Sequence, residues 1–176
     1  MRVVGGIYRG RTLNEFKGQA VRPTPDMVRE SVFNILQFRI HGARFLDLFS
    51  GTGAMGIEAL SRGAKHVTFN DGARESVQII KSNLAKLAIK DGVKVCLSDA
   101  LTLLKSGEKY DIIYVDPPYK TDLGVKALQL VGGALADGGV VIFEDEKEFS
   151  GEIEGLKITD RRKYGRVRLT FFEKGE

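Results

Sequence analysis

The stretch FLDLFSGTGAMGIEALSRG, residues 45–63, constrains the fold more than any other part of this chain. Residues 45–49 are an apolar run broken by one acid, Asp47. Such a run suits a parallel strand buried on both faces. Ser50, Gly51, Thr52 and Gly53 then make a tight turn. From Ala54 the spacing of Met55, Ile57, Ala59 and Leu60 is helical, and Gly63 is the stop. Open α/β sheets bind nucleotide-like ligands on this strand, glycine loop and helix, at the carboxyl ends of their strands. Glycine has no Cβ, so a ligand can lie against bare backbone, facing the amides of the helix start. Gly51-x-Gly53-x-x-Gly56 matches the pattern G-x-G-x-x-G. Alone this is a weak signal that equally fits a tight turn with no ligand. The chain has no GxxxxGKS or GxxxxGKT, so the loop is not a P-loop.

The rest of the chain repeats the alternation. Strand 66–70 leads to a helix over 74–89, with Val77, Ile80, Leu84 and Leu87 on one face. Strand 93–97 precedes Ser98-Asp99-Ala100 and a short helix to 104. Strand 110–115 ends at Asp116-Pro117-Pro118-Tyr119. A helix over 122–135, a turn at Asp137-Gly138-Gly139 and strand 140–144 follow. The acidic stretch 144–154 reads as a solvated loop. Strands 156–163 and 166–173, joined at Tyr164-Gly165, add an antiparallel edge. The pattern predicts a mostly parallel sheet with right-handed crossovers.

Upstream, residues 1–22 mix short apolar pieces with glycine and arginine, which suits a small hairpin or arm. Tyr8 among these arginines fits either stacking on a base or packing on the domain. Arg22-Pro23-Thr24-Pro25 starts a helix that runs to about Arg39. Thr24 suits the N-cap, Pro25 the first helical position, and Asp26 the helix dipole. Residues 1–40 are thus a basic hairpin-and-helix extension of the same domain, and 41–176 its main body.

Composition narrows the function. A chain of 176 residues suits one domain. It has no signal peptide and no apolar run near the ~20 residues of a membrane span, so the cytoplasm is expected. One cysteine, Cys96, makes no internal disulfide and is expected in the core. Two histidines and that cysteine do not build a zinc site, and no metal is expected. The net charge is +4 and uneven. Residues 1–40 hold seven Lys/Arg and three Asp/Glu, as do residues 156–176, while 41–155 hold thirteen and seventeen. A basic patch built from the two ends suits a phosphate backbone, although ordinary solvated charge gives the same counts.

Two acids follow the glycine loop at telling places. Asp71 lies 20 residues beyond Gly51, the spacing of a ribose-binding acid, and it equally suits a cap for the next helix. Asp99 stands at the end of the third strand, where it too suits a helix cap.

Asp116-Pro117-Pro118-Tyr119 after such a loop resembles the S-adenosylmethionine-dependent methyltransferases that modify exocyclic amines of nucleic-acid bases. RVVGGIYRGRTL, RPTPDMVRESVFNIL, FLDLFSGTGAMGIEALSRGA, DPPY and KYGRVRL together resemble the RsmD family. Those are bacterial enzymes that methylate the N2 amine of a guanine in 16S ribosomal RNA. The resemblance runs along essentially the whole chain. It implies an α/β fold, the seven-stranded Rossmann-like methyltransferase sheet with helices on both faces. It also implies S-adenosylmethionine as cofactor and the small ribosomal subunit as partner. On these residues, Asp47, Gly51 and Gly53 would line the methionine part of the cofactor, with Thr24 at its methionine end. Asp71 would take the ribose hydroxyls, and Asp99, with Ala100 beside it, the adenine amine. Asp116 and the Pro117 carbonyl would hold the target amine, and Tyr119 would stack on the flipped base. The basic ends, through Arg9, Arg11, Arg22, Arg166 and Arg168, would meet the RNA. The chain departs from many relatives in one place: Ala73 stands where they carry a second acid. A DNA or RNA adenine-N6 methyltransferase and a non-catalytic RNA-binding protein on the same fold are the competing readings.

Overall fold

Seven strands form one sheet in this computed structural model, which describes residues 1–18 and 24–175. The strands are β1 (Arg44–Asp47), β2 (His66–Asp71), β3 (Val93–Leu97), β4 (Tyr110–Val115), β5 (Leu135–Asp145), β6 (Leu156–Tyr164) and β7 (Val167–Lys174). Their order is β3-β2-β1-β4-β5-β7-β6. The first five run parallel, and β7 lies antiparallel between β5 and β6. Strand order reverses between β1 and β4, which makes the crevice beyond their carboxyl ends a topological switch point.

The helices are α1 (Asp26–Ile35), α2 (Ala54–Ser61), α3 (Arg74–Lys86), α4 (Ala100–Leu104) and α5 (Leu123–Val131). They divide between two cores. Phe33, Phe45, Ile57, Phe69, Ile80, Tyr114 and Ile142 pack on the face covered by α1, α2 and α3. Leu46, Leu48, Leu104, Ile113, Leu128, Val141 and Phe172 pack on the face covered by α4 and α5. Both faces of β1 are therefore buried, with Phe45 on one and Leu46 on the other.

The amino-terminal hairpin is closed by the Arg2–Thr12 bridge and strapped to α2. The Val4 and Gly5 amides donate to Glu58 Oε1 and Oε2, at 2.8 and 2.9 Å. Glu58 is fully buried, takes a bond from Arg62 Nε at 2.9 Å and lies 3.6 Å from the buried Arg29. Tyr8 is half-buried and packs on the core, the second of its two readings. Among the described residues no helix is long and apolar enough to cross a membrane.

Several expectations need correction. The N-cap of α1 is Pro25, not Thr24, because the Thr24 hydroxyl is drawn to Glu144, at 3.3 Å. That helix ends at Ile35 rather than near Arg39, where the chain tightens into a turn with Arg39 N–H on the Leu36 carbonyl. Helix α5 stops at Val131 as the paired Gly132 and Gly133 follow. The turn expected at residues 137–139 is an irregularity inside β5: Tyr110 pairs with Leu135, and Ile112 already pairs with Val140. The acidic stretch 144–154, which begins inside β5, is not all solvated. Glu144, Phe149 and Ile153 are buried, and Phe149 meets Phe143 and Phe172 edge-on. Cys96 is only half-buried, since β3 is an edge strand.

Candidate active site

The glycine loop opens on the switch-point crevice. Gly51 and Gly53 hold φ of +56° and +85°, in the left-handed region that side chains disfavour. A Cβ on Gly53 would also lie 3.3 Å from Ile80 Cγ1. Among the described residues a Cβ on Gly51 would meet only the Phe16 ring, at 4.0 Å, so none of them closes off the Gly51 backbone.

Acids fix the loop from both sides. Asp71 accepts the Gly51 N–H on Oδ2 at 3.0 Å and the Ala73 N–H on Oδ1 at 2.9 Å. It is not the cap of α3, whose N-cap is Ala73. A carboxylate has about four acceptor sites, so each oxygen keeps one for a further donor. Asp47, fully buried, accepts the Gly56 N–H on Oδ2 at 3.0 Å, and its carbonyl takes the Ser50 hydroxyl at 2.7 Å. Burial pushes the Asp47 carboxyl up to about 7, against the pull of the Gly56 bond, and Asp71 and Glu144 add repulsion. Asp47 thus ties the loop to α2. Between them, buried Asn70 donates to the Leu48 and Ser98 carbonyls, while its Oδ1 has no partner among the described residues.

Asp99 does cap α4, accepting the Thr102 N–H and hydroxyl on Oδ2, both at 3.1 Å. It stands exposed, next to buried Ala100. Asp116 is half-buried one residue past β4. Loss of solvent, then the charges of Glu144, Asp47 and Asp145, hold its carboxyl well above the usual range. Pro117 packs toward α5: a Cβ on Gly124 would fall 2.7 Å from its ring. Tyr119 is 63% exposed, with Lys120 Nζ 5.3 Å from the ring centre. A large exposed aromatic at a strand's carboxyl end suits stacking on a base. The crevice thus gathers Gly51, Gly53, Asp71, Asp99 and Asp116 along four neighbouring strands.

The whole of this arrangement has relatives. The model of a family described as conserved hypothetical protein 95 matches residues 1–173. Ribosomal RNA small subunit methyltransferase D of Escherichia coli is 38% identical, over 84% of this chain and 76% of that protein. This chain belongs to that family. The yhhF structure from Escherichia coli superposes with a TM-score of 0.88 at 31% identity, covering 99% of this chain and 97% of that one. A Thermus thermophilus 16S rRNA N2 methyltransferase, solved with AdoMet and guanosine, shares the fold at TM-score 0.70 and 21% identity. It covers 91% of this chain and 45% of that one.

The family's basic segments lie on two parts of the surface. Arg166 is exposed at the tip of the β6–β7 hairpin, and Arg168 donates to the Gly165 carbonyl at 3.0 Å. Arg168 sits opposite Asp145 in the sheet register, so this hairpin borders the crevice edge. A groove of about 310 Å³ there is lined by Arg161, Arg162, Lys163, Arg168 and Glu148. Arg9 is exposed elsewhere, and Arg11 donates to the Lys86 carbonyl, at 3.1 Å, in the last turn of α3. That helix begins beside Asp71 and rises about 18 Å over its length, so Arg11 is roughly that far from the crevice. Arg22 lies outside the described residues. Sequence reasoning missed Glu144. Its one signal was its place at the end of the apolar run VVIF, where it also opens an acidic stretch.

Proposed function

We propose that this chain transfers a methyl group from S-adenosylmethionine to the exocyclic N2 amine of a guanine in 16S ribosomal RNA. The observation that carries this is one crevice that joins the open Gly51 backbone, Asp71 and the Asp116–Tyr119 segment at the ends of β1, β2 and β4. Family membership over nearly the full chain supports it.

The residues fit the cofactor. Asp71 has acceptor sites left for a ribose diol, the bare Gly51 backbone admits the methionine part, and Thr24 and Asp99 stand at the two ends. The sulfonium methyl is an electrophile, so position and exclusion of water matter more than acid–base strength. The guanine amine is a poor nucleophile because its lone pair is conjugated into the ring. Acceptance of its hydrogens by Asp116 and the Pro117 carbonyl favours the pyramidal form and frees that pair. Tyr119 stacks on the extruded base and offsets the few kcal/mol lost on unstacking.

The hairpin with Arg166 and Arg168 offers phosphate contacts next to this site, and Arg9 and Arg11 a second set farther off. The substrate is RNA within the small subunit, and the reaction belongs to the cytoplasm. Mass mapping of ribosomal RNA from a strain lacking the protein is the test. One N2-methylguanine should be missing from 16S RNA and return on complementation. Loss of an N6-methyladenine, or an unchanged map, would overturn the reading.

A further inference from the structure

Three acids converge where three adjacent strands end. Asp47 is opposite Tyr114 in the β1–β4 register, and Tyr114 is opposite Ile142, two residues before Glu144. Side chains two apart share a face of a strand, so Asp47, Tyr114 and Glu144 lie on one side of the sheet. Asp116 follows Val115, whose register partner Phe143 precedes Glu144, so Asp116 and Glu144 stand at the same level of adjacent strands.

Glu144 is 8% exposed. Its Oε2 accepts two hydroxyls, one from Tyr114 and one from Thr24 at 3.3 Å. Burial raises the Glu144 carboxyl above its ordinary range, and the two donors on one oxygen pull it back toward the charged form. We propose that Glu144 is a positioning residue for methyl transfer: anchored by Tyr114 and Thr24, its carboxylate keeps Asp116 basic enough to take the proton that the target amine gives up. This rests on the reading of Asp116 as the residue that holds the amine.

The chemistry balances. A C–N bond forms as the methyl leaves sulfur, and one N–H proton passes from the methylated nitrogen to an Asp116 oxygen and then to water. Neighbouring charges and loss of solvent make Asp116 hold a proton tightly. The groups around it are Asp47 from β1, Glu144 and Asp145 from β5, and the Tyr114 hydroxyl from β4. Thr24, ahead of α1, reaches Glu144 alone. Asp116 and Glu144 therefore titrate as a unit, with the hydroxyls biasing the charge toward Glu144.

Carbon NMR titration of the aspartate carboxyls in the cofactor-free protein tests this. In Glu144→Gln the Asp116 midpoint should fall by about one pH unit or more, as a like charge is removed. Asp99 should titrate as in wild type. Tyr114→Phe keeps the ring, removes one donor, lets Glu144 compete for the proton and should move Asp116 the same way by less. In single turnover the acid limb of the Glu144→Gln rate profile should move to lower pH, with the plateau down roughly tenfold. An Asp116 midpoint unmoved in both folded variants would overturn the role of Glu144. An Asp116→Ala enzyme as fast as wild type would instead sink the amine-holding reading, whatever the titration shows.

Discussion

Asp71 and Asp47 both bind backbone amides of the glycine loop, but they do different work. Asp71 lies at the crevice mouth with acceptor sites to spare. Asp71→Ala should weaken S-adenosylmethionine binding by roughly 2–4 kcal/mol, the scale of two charge-assisted hydrogen bonds. Calorimetric titration measures it, and an unchanged affinity would leave Asp71 only a loop tether. Asp47 is buried and holds its proton up to about 7, against 3.8 for an ordinary carboxyl. The native state thus binds that proton more tightly than the unfolded chain does. Its stabilising effect is complete below about pH 4 and disappears as pH rises through 7. Between pH 4 and 8 the wild type should lose up to about 4 kcal/mol more stability than Asp47→Asn, which cannot ionise. Urea melts of the two proteins across that range would show it. Spacing pointed to Asp71, which the structure ties to Gly51, and the proline pair pointed to Asp116. Glu144 was hidden because it opens an acidic run that resembles a solvated loop, and only the register shows it turning inward.

Elements were legible where the apolar period was long and continuous. The start of α3 and the closing hairpin stand within a residue of expectation, while β1 ends two residues and α3 three residues early. Failures came where a tertiary contact overrode a local signal. Glu144 withdrew Thr24 from its cap, and the sheet drew residues 137–139 into β5 as an irregularity. Charge counts could not tell that Arg11 lies at the last turn of α3 while Arg168 stands opposite Asp145. The β6–β7 hairpin borders the crevice, so charge removal at Arg166 and Arg168 should lower RNA affinity and reduce the salt slope by about one per lost phosphate contact. The same change at Arg9 and Arg11 reports on the distant strip. Filter binding across a salt series separates them, and an effect from neither pair would place the RNA track elsewhere. The amino-terminal strap has its own test. Glu58→Ala would leave buried Arg29 with the exposed Asp26 as its remaining acid, would strip the Val4 and Gly5 amides of their acceptor, and should cost about 3–5 kcal/mol in denaturant melts. A cost below 1 kcal/mol would show the strap to be held by its apolar contacts instead.

The molecule as a whole is a switch-point α/β sheet whose crevice is bounded by a glycine loop on one side and a basic hairpin on the other. Strand order places Asp47, Asp116 and Glu144 on adjacent strands although they are far apart in sequence. Asp116 is the residue on which the account turns: in the proposed reaction its contact with the amine strengthens as the nitrogen becomes pyramidal, and such an interaction lowers the barrier selectively. The most direct measurement is single-turnover methyl transfer to 16S RNA in small subunits, with saturating cofactor and analysis of the modified nucleoside. Wild type should yield N2-methylguanine, and Asp116→Ala should be slower by about 10²–10³ with cofactor affinity nearly unchanged. An Asp116→Ala protein that transfers methyl groups at the wild-type rate, or a wild-type product other than N2-methylguanine, would contradict the account.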